Sequence, residues 1–140
     1  MTVDESTLIR MLDEAAVRGL IVAVARITDE GDIEDYATLL CEDATWQLPG
    51  RAVVTGVKEI IESAQSRRAA RLSGPDVHTR HVVSNTEVSV TGDEASARTY
   101  WQYFGTTDTA PTLKAFGNYA DTFRRSADGW RFAGRFATSG

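Results

Sequence analysis

The chain has 140 residues, of which 42% are hydrophobic and 25% are charged, and its formal net charge at pH 7 is −5. This composition is ordinary for a globular protein and argues against intrinsic disorder. The length predicts one domain over residues 1–140 with room for a core. Because the negative charge gives no general attraction to nucleic acid or anionic membranes, neither is expected as a partner.

Too few cysteines and histidines are present for a structural metal site. Cys41 is the only cysteine and there are two histidines, so neither an internal disulfide nor a zinc cluster is expected. Residues 1–14 lack the features of a signal peptide, and the apolar run at residues 20–25 is too short to cross a bilayer. We therefore expect a cytoplasmic protein without a metal or other cofactor.

Three helices are predicted in the first half of the chain. Apolar residues recur three or four apart over residues 8–23, and this pattern ends at Gly31, a typical stop signal. A short second helix is expected after Asp32, with Ile33, Tyr36, Ala37 and Leu40 on one face. A third is expected from about Thr55 to Leu72. Its basic cluster is interpreted as a solvated helix face and consists of Arg67, Arg68 and Arg71.

The remaining sequence favours β-structure. Strands are predicted at residues 43–48, 78–90, 95–106, 112–125 and 130–138. Turn residues separate several of them, as in Thr91-Gly92-Asp93 and Ala127-Asp128-Gly129. Because the helices come first and a meander of strands follows, the sequence predicts an α+β fold with helices on one face of an antiparallel sheet.

Four short phrases carry a family resemblance: GDIEDYA at residues 31–37, TRH at 79–81, GNYADTF at 117–123 and DGWRF at 128–132. Together with the order of the elements, they resemble the SnoaL-like branch of the NTF2-like superfamily, from about Leu8 to Arg135. The resemblance implies an NTF2-like cone, in which three N-terminal helices cover a strongly bent antiparallel or mixed sheet. It also implies a homodimer or homotrimer formed through the outer face of the sheet.

Asp29 and His81 match an aspartate–histidine pair in two members of this superfamily, scytalone dehydratase and the lindane dehydrochlorinase. A carboxylate that accepts a hydrogen bond from one imidazole nitrogen leaves the other nitrogen free as a base. Taken singly, an aspartate at a helix end is more often a cap, and a histidine in a strand is more often structural. The resemblance implies that Asp29 orients His81 as a catalytic general base.

Further positions match the lining of these pockets. Trp46, Tyr119 and Arg135 correspond to a pocket tryptophan, phenylalanine and arginine. Arg135 would hold a leaving group, an enolate oxygen or a carboxylate, or it would form a salt bridge with Asp121. The predicted lining is completed by Leu48, Trp101 and Tyr103. The alternative for the aromatic residues is plain core.

Departures from both relatives leave the specific activity open. Val24 replaces a lysine of the dehydrochlorinase, and Thr28 and Leu48 replace two tyrosines of scytalone dehydratase. The sequence predicts a cofactor-independent lyase or isomerase of dehydratase, polyketide cyclase or dehydrohalogenase type. Its ligand would be small, hydrophobic and cyclic, of polyketide or terpenoid type, in an apolar pocket.

The alternative prediction is a protein without catalysis. It would be a ligand-binding protein, or a structural subunit like the small subunit of ring-hydroxylating dioxygenases. A hydrogen-bonded Asp29–His81 pair facing a cavity favours the enzyme, whereas a His81 packed into the core favours the alternative. Because strand residues alternate in direction, a pocket-facing Trp101 and Tyr103 would leave Tyr100 and Phe104 on the outer face, as a dimer interface.

Overall fold

Helices precede most of the strands in the computed structural model, which describes residues 2–140. Within these residues there are two α-helices, α1 (Glu5–Glu30) and α2 (Val57–Ala69), and a 3-10 helix (Ile33–Thr38). The strands are β1 (Leu40–Gln47), β2 (Val54–Thr55), β3 (Arg80–Thr91), β4 (Glu94–Gly105), β5 (Thr112–Ser126) and β6 (Gly129–Ser139). The predicted α+β fold with three N-terminal helices is confirmed.

One curved, mixed sheet contains all of these strands in the order β2-β1-β6-β5-β4-β3. Neighbouring strands are antiparallel except β1 and β6, which are parallel. The pairing register shifts between Ser84 and Glu87 in β3, and between Tyr103 and Phe104 in β4. Such bulges bend a sheet and increase its twist. They account for the curvature of the predicted NTF2-like cone.

Helix α1 lies against the sheet and ends beside β3. Asp4 caps its first turn by accepting a hydrogen bond from the Thr7 backbone N–H at 2.8 Å. Val17, Ile21 and Val24 form its buried stripe and belong to the core cluster. No helix within residues 2–140 is long and apolar enough to span a membrane.

Helix α2 packs against the 3-10 helix, β1 and β2. Of the basic cluster that was predicted to be solvated, only Arg71 is exposed, and it lies just after the helix. Arg67 and Arg68 are both half-buried. The Arg68 guanidinium donates hydrogen bonds to the carbonyls of Ile27, Thr28 and Gly31, at 2.6–3.0 Å. These carbonyls lie at the carboxyl end of α1, which favours a cation. Arg68 therefore ties α2 to the end of α1 that carries Asp29.

The element boundaries differ from the predicted ones where local signals compete. Leu40 begins β1 instead of joining the preceding helix. Helix α2 ends at Ala69, because Arg71 has a φ of 58°, in the left-handed region. Strand β3 begins at Arg80 instead of residue 78, because His78 has a φ of 62°. Strand β2 was not predicted, since two residues are too few to show an alternating pattern.

Candidate active site

A cavity of about 390 Å³ opens between the helices and the concave face of the sheet. Its walls include all six residues that were predicted to bind substrate: Trp46, Leu48, Trp101, Tyr103, Tyr119 and Arg135. His81 also lines the cavity, and Asp29 lies behind it, in contact with its ring. The sequence positions that were matched to one pocket therefore do meet in one place.

The Asp29 carboxylate holds His81 by two hydrogen bonds. One oxygen lies 2.6 Å from the ring nitrogen Nδ1, and the other accepts from the His81 backbone N–H at 2.8 Å. The predicted hydrogen bond is present, whereas its catalytic role stays a prediction. Asp29 lies at the end of α1 and His81 lies in β3, so this geometry depends on how the end of α1 packs on the sheet.

The second ring nitrogen of His81 is available to a ligand. With Nδ1 donating to the carboxylate, Nε2 is left as the hydrogen-bond acceptor of the neutral ring. Nε2 has no hydrogen-bond partner within residues 2–140 and is not fully enclosed by protein. The His81 side chain is 20% exposed, against 5% for Asp29. The pair thus places a shielded carboxylate behind an accessible nitrogen.

Aromatic rings form the apolar walls. Trp101 and Tyr119 stack with their centroids 6.0 Å apart, and Tyr103 lies 5.0 Å from the His81 ring. Gly117 lies opposite Trp101 in the strand pairing, and a Cβ at this position would come within 2.6 Å of the indole ring. The glycine of the GNYADTF phrase therefore makes room for a wall of the cavity.

Arg135 forms the salt bridge that the sequence offered as the alternative to ligand binding. Its Nε and Nη2 donate to the two carboxylate oxygens of Asp121, at 2.7 and 2.9 Å, and both side chains are buried. The guanidinium also lies 3.6 Å from the centre of the Tyr119 ring. Burial acts to lower the pKa of Arg135, but Asp121, Tyr119 and Tyr36 together outweigh it, so that the pKa is raised. Only Nη1 has no partner in the described chain and is not fully enclosed.

Tyrosine hydroxyls provide further polar groups in the cavity. The hydroxyl of Tyr36 is hydrogen-bonded to that of Thr28, which in turn donates to the Val24 carbonyl at 2.8 Å. Since the Thr28 proton is used in this way, Tyr36 is the donor of the pair. Burial raises the pKa of Tyr36, and it does the same for Tyr119. Both phenols are therefore neutral hydrogen-bonding groups at physiological pH.

Sequence reasoning missed six polar residues of the cavity: Thr28, Tyr36, Arg51, Arg67, Ser73 and Ser139. A signal for Arg67 was present, because it lies three residues after Ala64 and seven after Ile60, both buried residues of α2. This spacing puts it on the apolar face of the helix. Residues 2–140 contain no group of three or more His, Cys, Asp or Glu side chains that could hold a metal ion.

Comparisons with known proteins identify the family and similar folds. Residues 10–135 match the model of the SnoaL-like domain. No curated protein matches the chain significantly in sequence. The fold is similar to an NTF2-like protein with a cystatin-like fold from Novosphingobium aromaticivorans, at 26% identity and a TM-score of 0.83, covering 99% of this chain and 92% of that one.

Two further solved structures carry activity names. One is a candidate aromatic ring hydroxylase from Novosphingobium aromaticivorans, at 25% identity and a TM-score of 0.74, covering 92% of this chain and 90% of that one. The other is a candidate dehydratase of the NTF2-like family from Streptomyces avermitilis, at 20% identity and a TM-score of 0.77. It covers 92% of this chain and 97% of that one, and at this identity the likeness concerns the fold alone.

Proposed function

The chain belongs to the SnoaL-like domain family, and from that premise we propose that it is a cofactor-independent small-molecule lyase or isomerase. In this proposal His81 is the general base and Asp29 orients it. The family and its NTF2-like fold include dehydratases and other enzymes. Because one fold hosts many activities, the proposal depends on the residues of the cavity rather than on the family alone.

The observation that carries the proposal is the double hydrogen bond from Asp29 to His81. A carboxylate 2.6 Å from Nδ1 selects the tautomer in which Nε2 accepts a proton, and it stabilises the imidazolium that forms. The second bond, to the His81 backbone, holds the carboxylate against rotation. An aspartate that only capped α1 would not need to contact a ring on β3.

The proposed reaction starts with removal of a proton from carbon. Nε2 of His81 takes a proton from a carbon next to an electron-withdrawing group, and the electron pair of that bond forms a new C=C bond. In a lyase, a leaving group on the neighbouring carbon departs with its bonding pair and receives the proton from the imidazolium. In an isomerase, the imidazolium returns the proton to a different carbon. Either outcome restores the neutral His81.

Aromatic walls support a cyclic substrate of polyketide or terpenoid type. Trp46, Trp101 and Tyr119 line the cavity, and aromatic side chains of this kind favour contact with a planar ligand. Nη1 of Arg135 would supply a hydrogen bond to an enolate oxygen.

A second candidate is a protein without catalysis, which binds a ligand or acts as a structural subunit like the small subunit of ring-hydroxylating dioxygenases. Two observations favour it: the likeness to a candidate aromatic ring hydroxylase, and the absence of Asp and Glu from the residues that line the described cavity. The two candidates differ in whether Nε2 exchanges protons with a bound carbon acid.

Proton exchange tests the proposal without knowledge of the natural substrate. The protein is incubated in D₂O with a panel of cyclic ketones, beginning with 2-tetralone, and deuterium incorporation next to the carbonyl is followed by NMR. We expect protein-dependent exchange with at least one ketone, and loss of that exchange in His81→Asn. Protein-dependent exchange that persists in His81→Asn, or its absence across the panel, would favour the non-catalytic candidate.

The chain offers a matched control in its other histidine. His78 lies outside the cavity lining. Its side chain is 52% exposed, and its Nε2 lies 3.7 Å from Oδ2 of Asp108. Asparagine tolerates the left-handed backbone of this position. His78→Asn should therefore retain the exchange rate of the unmodified protein, which separates loss of the base from loss of any histidine.

A further inference from the structure

Two arginines line the cavity without a carboxylate partner. Arg51, just after β1, is exposed, and Arg67, on α2, is half-buried. Neither forms an ion pair with any residue in the described chain. They are neighbours, because both also line an adjoining cavity of about 20 Å³ beside Trp46 and Leu48. Two positive side chains therefore share one side of the main cavity.

Arg67 keeps guanidinium donors to which no described residue offers an acceptor. Its Nη1 donates to the Ser63 hydroxyl at 2.7 Å. Nε and Nη2 have no partner within the described residues and are not fully enclosed. Burial lowers the pKa of Arg67, and the nearby Arg51 acts in the same direction. A guanidinium in this setting is stabilised by an anion that accepts from both remaining donors.

The charges around the cavity favour a single negative charge on the ligand. Asp121 neutralises Arg135, and within residues 2–140 the one other carboxylate that forms an ion pair or hydrogen bond with a side chain of the lining is Asp29, behind His81. The charges of Arg51 and Arg67 therefore exceed that of Asp29 by one. We propose that Arg51 and Arg67 bind a carboxylate of the ligand, so that the cavity takes a cyclic monocarboxylate whose rings lie along the aromatic walls.

The carboxylate and the base would lie at opposite sides of the ligand. Arg51 follows β1, and helix α2, which carries Arg67, follows β2. These two strands form one end of the sheet order, and β3 with His81 forms the other. A ligand anchored at Arg67 would extend its ring system toward His81, so binding of the carboxylate would set which carbon meets Nε2. This inference about substrate class rests on the proposed function, but the binding site itself does not need catalysis.

A matched pair of probes tests the site. 2-Naphthoate and 2-naphthamide have nearly the same shape and differ in charge, and their binding is measured by isothermal titration calorimetry. We expect the unmodified protein to bind the naphthoate about tenfold more tightly or better. Arg67→Gln should remove this preference and change the naphthamide affinity little. Lys58→Gln, which removes one exposed positive charge from the same helix, should keep it.

Several outcomes would overturn the inference. These are equal affinities for the two probes in the unmodified protein, a preference that survives in the Arg51→Gln/Arg67→Gln double variant, and no naphthoate binding at millimolar concentration. Tighter binding of 2-naphthyl phosphate than of 2-naphthoate would overturn the assignment to a monocarboxylate. His81→Asn should retain the preference, since His81 is not part of the anion site.

The two proposals fail separately. A carboxylate preference without proton exchange would support the anion site and indicate that the protein is not catalytic. Proton exchange that depends on His81, without a carboxylate preference, would support His81 as the base and contradict only the anion site.

Discussion

Two carboxylates support the same cavity, and they do so through partners of different chemistry. Asp29 is hydrogen-bonded to His81, and Asp121 to Arg135. Both carboxylates are buried, at 6% and 1% exposure. Imidazole gains and loses a proton near neutral pH, whereas guanidinium stays charged. The first pair is therefore suited to chemistry and the second to holding a fixed charge inside the protein.

The difference also explains which cationic side chain is free for a ligand. Both carboxylate oxygens of Asp121 accept from Arg135, which packs on Tyr119 and lies 4.9 Å from the Trp46 ring. Arg67, which has no such partner among residues 2–140, retains unused donors. An arginine in a cavity is thus available to a ligand to the extent that the protein has not already neutralised it.

The largest expected effect comes from Asp29→Asn. The asparagine amide can donate to Nδ1 and so favours the tautomer in which Nε2 carries the proton. We expect the exchange rate with the active ketone to fall about 10⁴-fold, by analogy with an uncharged substitution in a catalytic triad. The free energy of unfolding should change by only about 1 kcal/mol, because the side-chain oxygen still accepts from the His81 backbone.

Asp35→Asn is the control for that change. Asp35 is exposed in the 3-10 helix, so its neutralisation should leave the exchange rate unaltered. If Asp29→Asn unfolds the protein, or exchanges as fast as the unmodified chain, the pair is structural.

Next in size is the effect of Asp121→Leu on stability. The substitution leaves the buried Arg135 charge without a partner, which typically costs about 3–5 kcal/mol. Urea unfolding should show this loss, and adding Arg135→Met should recover most of it, because a buried pair replaced by apolar residues is often neutral. A double variant as unstable as the single one would mean that Arg135 stabilises the fold by means other than its pairing with Asp121.

Loss of the uncharged Tyr36–Thr28 hydrogen bond in the same cavity should have a smaller effect on stability. Tyr36→Phe removes the hydrogen bond to Thr28 and leaves no buried charge behind. We expect a loss of about 1 kcal/mol in the free energy of unfolding. Tyr100→Phe is the matched control, since the Tyr100 side chain is exposed on the outer face. If Tyr36→Phe lowers the free energy of unfolding by several kcal/mol, this neutral pair matters for stability as much as the buried ion pair does.

A substitution on the outer face of the sheet should have the smallest effect on the Asp29–His81 and Asp121–Arg135 pairs. Exposed apolar side chains cover this face: Val82, Tyr100, Leu113, Phe116 and Phe136. Tyr100 is exposed as expected, whereas Phe104 is half-buried. We expect a homodimer through this face, and Phe116→Lys should convert it to a monomer in light scattering. The exchange rate should stay within about twofold, because each cavity pair lies within one chain. An unmodified protein that is monomeric at micromolar concentration would contradict the dimer.

Local patterns in the sequence determined the order of the elements but not the pairing of Asp29 with His81. Apolar spacing predicted the helices, and alternation predicted the strands to within a few residues, because these patterns depend on neighbours one turn or one pleat away. The family resemblance, rather than any spacing, brought Asp29 and His81 together. Their separation of 52 residues carries no periodic signal.

Only the tertiary structure decided the charges of the cavity. Arg67 was interpreted as solvated because its neighbours in sequence are basic, although α2 turns it toward the cavity. Arg135 was open to two roles until its strand was paired with that of Asp121. Whether a charged side chain is neutralised, buried or free depends on distances of a few ångströms between residues that are remote in sequence. A linear pattern does not contain those distances, and the folded sheet does.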